Sequence, residues 1–255
     1  MQVFAPERQA RILSELRRNG RVEVAALAVL FEVSEDTVRR DLRALSAAGH
    51  LHKTHGGAVL LDTARMDWTA RADVAAATKR AIGETAATVV RPGDVLLLDA
   101  GSTVLAFARA LAVRPLTVVT NSLDVALVFD ADPEVDLALT GGRWDRGSRG
   151  LTGSAAVLST ARYRADWAFL GACALHPSVG ATAVDPADAD VKIAMADAAL
   201  RTAVLADVTK HGHVEPHLVL PPDRISLIVT DAAEVSAPWL ERHVEVLTPP
   251  AERDR

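Results

Sequence analysis

Between residues 6 and 19 the apolar side chains Ile12, Leu13 and Leu16 share one helical face among arginines, and Gly20 stands where such a helix would stop. A second short helix is predicted over 24–31, with Leu27, Leu30 and Phe31 toward a core. The third begins after Ser34, a good N-cap, carries Glu35 and Asp36 in its first turn and closes at Gly49. On it Val38, Leu42 and Leu45 lie within about 60° of one another and form the buried stripe. Asp36, Arg40, Arg43 and Ala47 face the other way, with Thr37 and Arg39 at the flanks. Three short helices in one stretch predict a helix-turn-helix. In "HLHKTHGGAVLL" two stretches of strand character flank Gly56-Gly57, a dipeptide suited to a hairpin turn, so a wing is expected. Residues 62–73 have no sustained period and read as a linker and candidate hinge, with Trp68 packing on the next domain.

From Val74 the pattern changes to an alternation of helix and strand. Short apolar, mostly β-branched runs predict strands over 95–98, 116–119, 135–139, 167–170, 203–206, 225–229 and 244–247. Helices are expected over 75–90, 104–111, 123–129, 155–161, 187–200 and 237–242. That alternation predicts an α/β domain with helices on both faces of a sheet. The expected organisation is a mainly α winged helix-turn-helix over 1–61, a linker over 62–73, an α/β domain over 74–248 and a charged tail over 249–255.

Composition changes this picture little: 49% of residues are hydrophobic and 24% charged, as in ordinary globular domains. The longest apolar run, "VAALAVLF", is far short of the roughly 18 residues of a spanning helix, so no membrane partner is expected. "MQVFAPERQARIL" has charges where a secretory signal would be apolar, and the single cysteine, Cys173, has no intrachain partner. Both point to a reducing, cytoplasmic setting. Charge is uneven: residues 1–65 hold 10 Lys+Arg against 8 Asp+Glu, whereas the whole chain carries −5. The pattern is that of a weakly basic module on an acidic body.

Taken alone, the third helix suits either a solvated basic face or a DNA-reading helix, in which Arg reaches guanine edges and Ser or Thr holds phosphate. Its setting decides between them. "RILSEL", "SEDTVRRDLRAL" and "THGGA" together resemble the winged helix-turn-helix of the DeoR family of bacterial transcription regulators, across residues 6–60. The resemblance implies Ser34, Thr37, Arg39 and Arg40 as DNA contacts, Asp41 as a structural partner for an arginine, and Lys53 as a wing contact to backbone; Arg43, on the same outward face as Arg40, is expected to join them. His50, His52 and His55 in the wing, and His211, His213 and His217 in "HGHVEPH", also admit a metal reading, but no cysteine accompanies the first group, and the second, better spaced for chelation, lacks the carboxylate-and-histidine geometry of a ligand set. No metal and no cofactor are expected.

In the second half, "LLLDAGST" reads as a strand running into a helix whose N-terminus offers amides and two hydroxyls, which suits an anion; the alternative is a turn that Ser102 or Thr103 merely caps. Strand-end loops recur. They present Asp99, Gly101, Ser102 and Thr103; then Thr120, Asn121 and Ser122; then Gly141 and Gly142; and finally Asp207 and Lys210. In an open α/β sheet such loops converge on one crevice, and these residues describe a pocket for a polyol phosphate. Asp99 would hold the ligand's hydroxyls or the loop itself.

"KRAIGETAA", "DAGST", "TNS", "TGG", "FLGA", "DVKIAM", "LADVTKHG" and "IVTD" resemble the effector domain of the same family, across residues 68–231. The resemblance implies a fold like ribose-5-phosphate isomerase and the CoA transferase-like proteins, and a phosphorylated sugar or polyol as effector. "GST" stands where many members have "GTT", and Asp188 stands four residues before Lys192 where glutamate is common. An isomerase would need a carboxylate base, for which Asp99, Asp166, Asp185 and Asp207 are the acids to consider. No catalytic motif of the isomerases accompanies them. The expectation is therefore a DNA-binding repressor of a carbohydrate or polyol operon, without catalytic residues. Its partners would be double-stranded operator DNA, the effector and further copies of itself as a dimer or tetramer.

Overall fold

A computed structural model of the chain describes residues 4–47, 50–60, 66, 68 and 74–250. Contacts divide the chain into two compact units, Met1–Thr63 and Ala64–Arg255. Apart from Met66 and Trp68, the expected linker over 62–73 lies outside the described residues, as do Gly49 and the tail beyond residue 250.

In the first unit helix α1 (Ala5–Asn19) leads through strand β1 (Arg21–Glu23) to α2 (Val24–Phe31) and α3 (Glu35–Ala47); strands β2 (Leu51–Thr54) and β3 (Gly57–Leu60) complete it. Gly20 ends α1 with φ of 71°, its N–H donating to the Leu16 carbonyl. Ile12, Leu16, Leu27, Phe31, Val38, Leu42 and Leu45 form the core.

Two expectations for this unit are corrected. Leu30 is half exposed, because it lies about 100° around α2 from Phe31, and Val24 takes the buried place instead. The hairpin turn is His55-Gly56, while Gly57 opens β3 and pairs with both Thr54 and Glu23. A Cβ on Gly57 would stand 1.9 Å from the Val22 carbonyl oxygen, so close approach of strand β1 is what requires glycine there. That strand has only three residues, too few for a periodic signal, yet it completes a sheet of order β1-β3-β2.

The second unit begins with α4 (Ala76–Ala87) and alternates: β4 (Val95–Leu98), α5 (Ser102–Ala110), β5 (Leu116–Thr120), α6 (Leu123–Phe129) and β6 (Val135–Leu139). A hairpin of β7 (Arg143–Asp145) and β8 (Gly150–Thr152) precedes α7 (Ser154–Thr160) and β9 (Ala165–Gly171). Then come β10 (Ala174–His176), β11 (Gly180–Ala183), α8 (Pro186–Asp197), β12 (Ala199–Leu205), β13 (His217–Leu220), β14 (Leu227–Val229), α9 (Ala237–Leu240) and β15 (Glu245–Leu247).

Seven strands pair in parallel in the order β15-β14-β12-β9-β4-β5-β6. Alternate residues feed two cores, as a sheet buried on both faces demands. Leu96, Leu98 and Phe169 pack with residues of α4, α5 and α6, whereas Leu97, Ala168 and Leu170 pack with residues of α7 and α8. The helix expected over 187–200 stops at Asp197: Ala199 and Arg201 are already strand residues paired with Ala165 and Trp167. An alanine-rich run suits either state, and pairing to β9 decides it. The β7-β8 hairpin and the small β10-β11-β13 sheet were not expected. Among the described residues no helix is long and apolar enough to cross a membrane.

Candidate functional site

Two sets of side chains stand out, one in each unit. On α3 the Thr37 N–H donates to Ser34 Oγ at 3.2 Å, fixing the helix start. Asp41 turns inward and is buried; it accepts from Arg8 Nε at 2.5 Å and from Gln9 Nε2 at 3.1 Å, which joins α1 to α3. On the outer side Arg40 and Arg43 are exposed and make no ion pair among the described residues. Arg39 differs, since its guanidinium is held by Glu35 at 2.6 Å and Asp36 at 3.1 Å. Lys53, His52 and His55 are exposed on the β2-β3 hairpin. Unencumbered guanidinium groups on a helix locked by its opposite, apolar face are what groove reading and phosphate contact require.

In the second unit, chain order runs outward from β4 through β5 to β6 on one side, and from β9 through β12 and β14 to β15 on the other. The order therefore reverses between β4 and β9, which is where open α/β sheets form a crevice at their carboxyl edge. Asp99 follows β4 at this point. Its Oδ2 accepts the Gly171 N–H at 3.0 Å and lies 2.7 Å from Lys192 Nζ, which also contacts Asp188 Oδ1 at 2.7 Å. Asp99 is fully buried, and its Oδ1 has no hydrogen-bond partner among the described residues. Burial pushes the Asp99 carboxyl up to about 6, against the pull of the Lys192 ammonium. Burial works against the charge of Lys192, but Asp188 and Asp99 outweigh it and hold its affinity for the proton above the usual lysine range.

Helix α5 opens directly beyond this carboxylate. Gly101, with φ of 141°, is its N-cap, and no side chain caps it. Ser102 and Thr103 thus do not close the helix end, and both remain partly exposed beside its first amides. The capped-turn alternative is corrected accordingly.

The next loops use their polar groups on the fold itself. Thr120 Oγ1 donates to the Leu98 carbonyl at 2.7 Å and accepts the Ser122 N–H, while Ser122 Oγ caps α6 through Val125. Asn121 is buried against Leu151 through its Nδ2 at 3.3 Å, leaving its Oδ1 without a partner among the described residues. Gly141 and Gly142 have φ of 72° and 119°, and Gly142 lies close to the Thr152 backbone. At about 4.8 Å per strand, β6 and β12 are separated by roughly 19 Å, too far for one sugar phosphate to touch both strand ends.

Asp207 caps the short turn Val208–Lys210 by accepting the Thr209 N–H at 2.9 Å, and Lys210 is buried beside it. His211 is buried, its Nε2 3.1 Å from Thr230 Oγ1, whereas His213 and His217 are half-buried on the following segment. Among the described residues no group of three His, Cys, Asp or Glu side chains is arranged to hold a metal. Asp166 lies at the opposite end of the sheet, accepting the Val95 N–H at 2.8 Å, so it is no candidate for crevice chemistry. Asp185 caps α8 through Ala187 and Asp188. Lys192 and Asp188 are not among the expected site residues, although their four-residue spacing places both on one helix face.

Comparison with known proteins gives the same division. Residues 8–64 match the DeoR-like helix-turn-helix domain and residues 74–232 the DeoR C terminal sensor domain. The chain is 31% identical over 231 residues to the HTH-type transcriptional repressor GlcR of Bacillus subtilis, covering 90% of this chain and 89% of the relative. It is 32% identical over 230 residues to the transcriptional repressor AccR of Agrobacterium fabrum, covering 89% of each. With the regulator GolR of Listeria innocua identity is 32% over 232 residues, covering 90% and 91%. These relatives are transcription regulators rather than enzymes. Among solved structures, ribose 5 phosphate isomerase A from Neisseria gonorrhoeae superposes with a TM-score of 0.39 at 18% identity over 52% of each chain. The delta subunit of eIF2B from Chaetomium thermophilum gives 0.45 at 16% identity, covering 82% of this chain and 64% of that one.

Proposed function

The chain belongs to the DeoR family of helix-turn-helix transcription regulators, and from that membership we propose that it represses a carbohydrate or polyol catabolic operon and is released by a phosphorylated sugar. The observation that carries the proposal is the match of both units, in order, to the DNA-binding and sensor domains of that family, alongside relatives named as repressors. In this reading Arg40 and Arg43 read the major groove, Ser34 and Thr37 hold phosphate at the start of α3, and Lys53 meets backbone from the wing. Arg39 contacts DNA only by giving up its acidic partners. One such module covers few base pairs, so a dimer or tetramer acts on repeated half-sites, in the cytoplasm.

For the sensor domain, the effector's phosphate lies at the N-terminus of α5 with Ser102 and Thr103, supported by the open, uncapped first turn there. Asp207 and Lys210 follow β12, two strands from β4 in the sheet, and complete the binding surface on that side. Thr120, Asn121, Ser122, Gly141 and Gly142 build the wall rather than grip the ligand, in keeping with their internal hydrogen bonds and backbone conformations. Effector must bind one arrangement of the protein better than the other, because equal affinity shifts nothing.

The test is fluorescence anisotropy of the full chain on a labelled duplex from upstream of its own operon, repeated with individual sugar phosphates. One of them lowers duplex affinity while inorganic phosphate does not. If none changes it, the proposed mode of control is wrong.

A further inference from the structure

We propose that Asp99 sets the specificity of the crevice by accepting a hydroxyl of the effector on Oδ1, and that Lys192 and Asp188 are positioning residues that hold it for this task. The inference deepens the reading of the crevice as a sugar-phosphate site and rests on it.

The two carboxylate oxygens of Asp99 are unequally served. An ionised carboxylate only accepts, and its oxygens offer about four lone-pair sites. Oδ2 is supplied by the Gly171 N–H and by Lys192 Nζ, but Oδ1, equally buried, has no donor among the described residues. Buried polar atoms in native proteins are nearly always satisfied, and one that is not calls for a partner from outside the chain's own groups. Of the unpartnered atoms among the described residues, Asp99 Oδ1 is the one carboxylate oxygen, and it stands at the switch point of the sheet. The missing partner must be a donor. A phosphate oxygen, a carbonyl or a ring ether has no hydrogen to give, whereas a hydroxyl has one.

Charge fixes the ligand's direction. Lys192 supplies one positive charge against the carboxylates of Asp99 and Asp188, so this corner carries an excess of negative charge and repels a phosphate. The uncapped start of α5, just beyond Asp99 in the chain, favours one. The effector therefore lies with its phosphate at Ser102 and Thr103 and its hydroxyl-bearing carbons toward Asp99. Lys192 keeps the geometry: its ammonium sits 2.7 Å from both carboxylates, and Asp188 lies one turn earlier on α8, so the helix holds Lys192 on Oδ2 and leaves Oδ1 open.

Such a site rejects deoxy compounds, because a ligand without the hydroxyl leaves a buried anion unsatisfied. Isothermal titration of the full chain with inorganic phosphate, a set of pentose and hexose phosphates, and the singly deoxygenated analogues of those that bind tests this. Removal of one particular hydroxyl weakens binding about 10- to 100-fold. In Asp99→Ala the same removal costs less than about threefold, because the acceptor is gone. Asp188→Asn weakens sugar-phosphate binding and Asp188→Glu restores it, which a merely structural acid at this position would not require. If every singly deoxygenated analogue binds within about threefold of its parent, Asp99 does not read a hydroxyl, though the crevice still holds the effector. If no sugar phosphate binds at all, the crevice reading fails and this inference with it. The analogue series on the unaltered protein decides the matter even if Asp99→Ala does not fold.

Discussion

Arg8 and Asp41 form a buried ion pair, Nε to Oδ2 at 2.5 Å, that fastens the first helix of the DNA-binding unit to the helix carrying Arg40 and Arg43. Removing one partner leaves the other charge buried and uncompensated, which costs about 3–5 kcal/mol. Asp41→Ala should therefore lower the urea midpoint of the 1–63 unit by that equivalent, with little effect on the transition of the sensor unit. An unchanged midpoint would show that the pair contributes nothing to holding α3 in place.

The arginines of α3 should separate by their partners. Arg40→Ala and Arg43→Ala are expected to weaken operator binding by about 1–3 kcal/mol each. Arg39→Ala should cost less, since its guanidinium already serves Glu35 and Asp36. Anisotropy titrations at fixed salt measure this, and a reversed order would mean that Arg39 swings free on DNA.

Gly57→Ala places a methyl group against the Val22 carbonyl. The expected outcome is a displaced wing and loss of operator binding, with effector binding unchanged. Gly56→Ala, where a Cβ meets nothing within 4 Å, is the control and should be mild. Equal behaviour of the two would remove the close approach of β1 from the explanation.

Effector affinity should fall as the pH drops through about 6, where Asp99 takes up its proton. The sign comes from the acceptor role, because a hydroxyl donated to Oδ1 favours the ionised form and protonation competes with it. Facing Asp99 are Lys192 and Asp188 from α8, and Cys173 beyond β9 stands within electrostatic reach of Lys192. The same raised value means that the native state holds this proton more tightly than the unfolded chain. Its contribution to stability is thus present below 3.8 and lost as the pH rises through about 6. The effector's phosphate also ionises at about 6, so titrations at pH 5, 6 and 7 compare the unaltered protein with Asp99→Asn, and the same profile in both would contradict the acceptor role.

Much of this architecture was visible in the pattern of apolar residues. Val95–Leu98 and Val135–Leu139 are strands over the predicted residues: the first is a short, wholly apolar run as a strand buried on both faces requires, and the second, at the sheet edge, keeps only Val135 buried. The start of β12 was hidden, since "ADAALRT" is compatible with helix until the partner strand is known. The crevice was half legible. Loops at strand ends announce themselves by Gly, Ser, Thr and Asn, but which hydroxyls are spent on the backbone is a tertiary fact: Thr120 and Ser122 are, and Ser102 and Thr103 do not cap their helix. Asp188 and Lys192 declare their mutual contact by spacing, whereas the meeting of Lys192 with Asp99 arises only from packing α8 over the sheet.

The most direct measurement is selection of duplex DNA by the full chain from a random library, followed by titration of the selected sequence with and without the sugar phosphate that raises the protein's melting temperature. One sequence with repeated half-sites should be enriched, and its affinity should fall when that sugar phosphate is added. Absence of any enriched sequence, or turnover of the sugar phosphate to its ketose without effect on DNA, would contradict the account of a DNA-binding sensor.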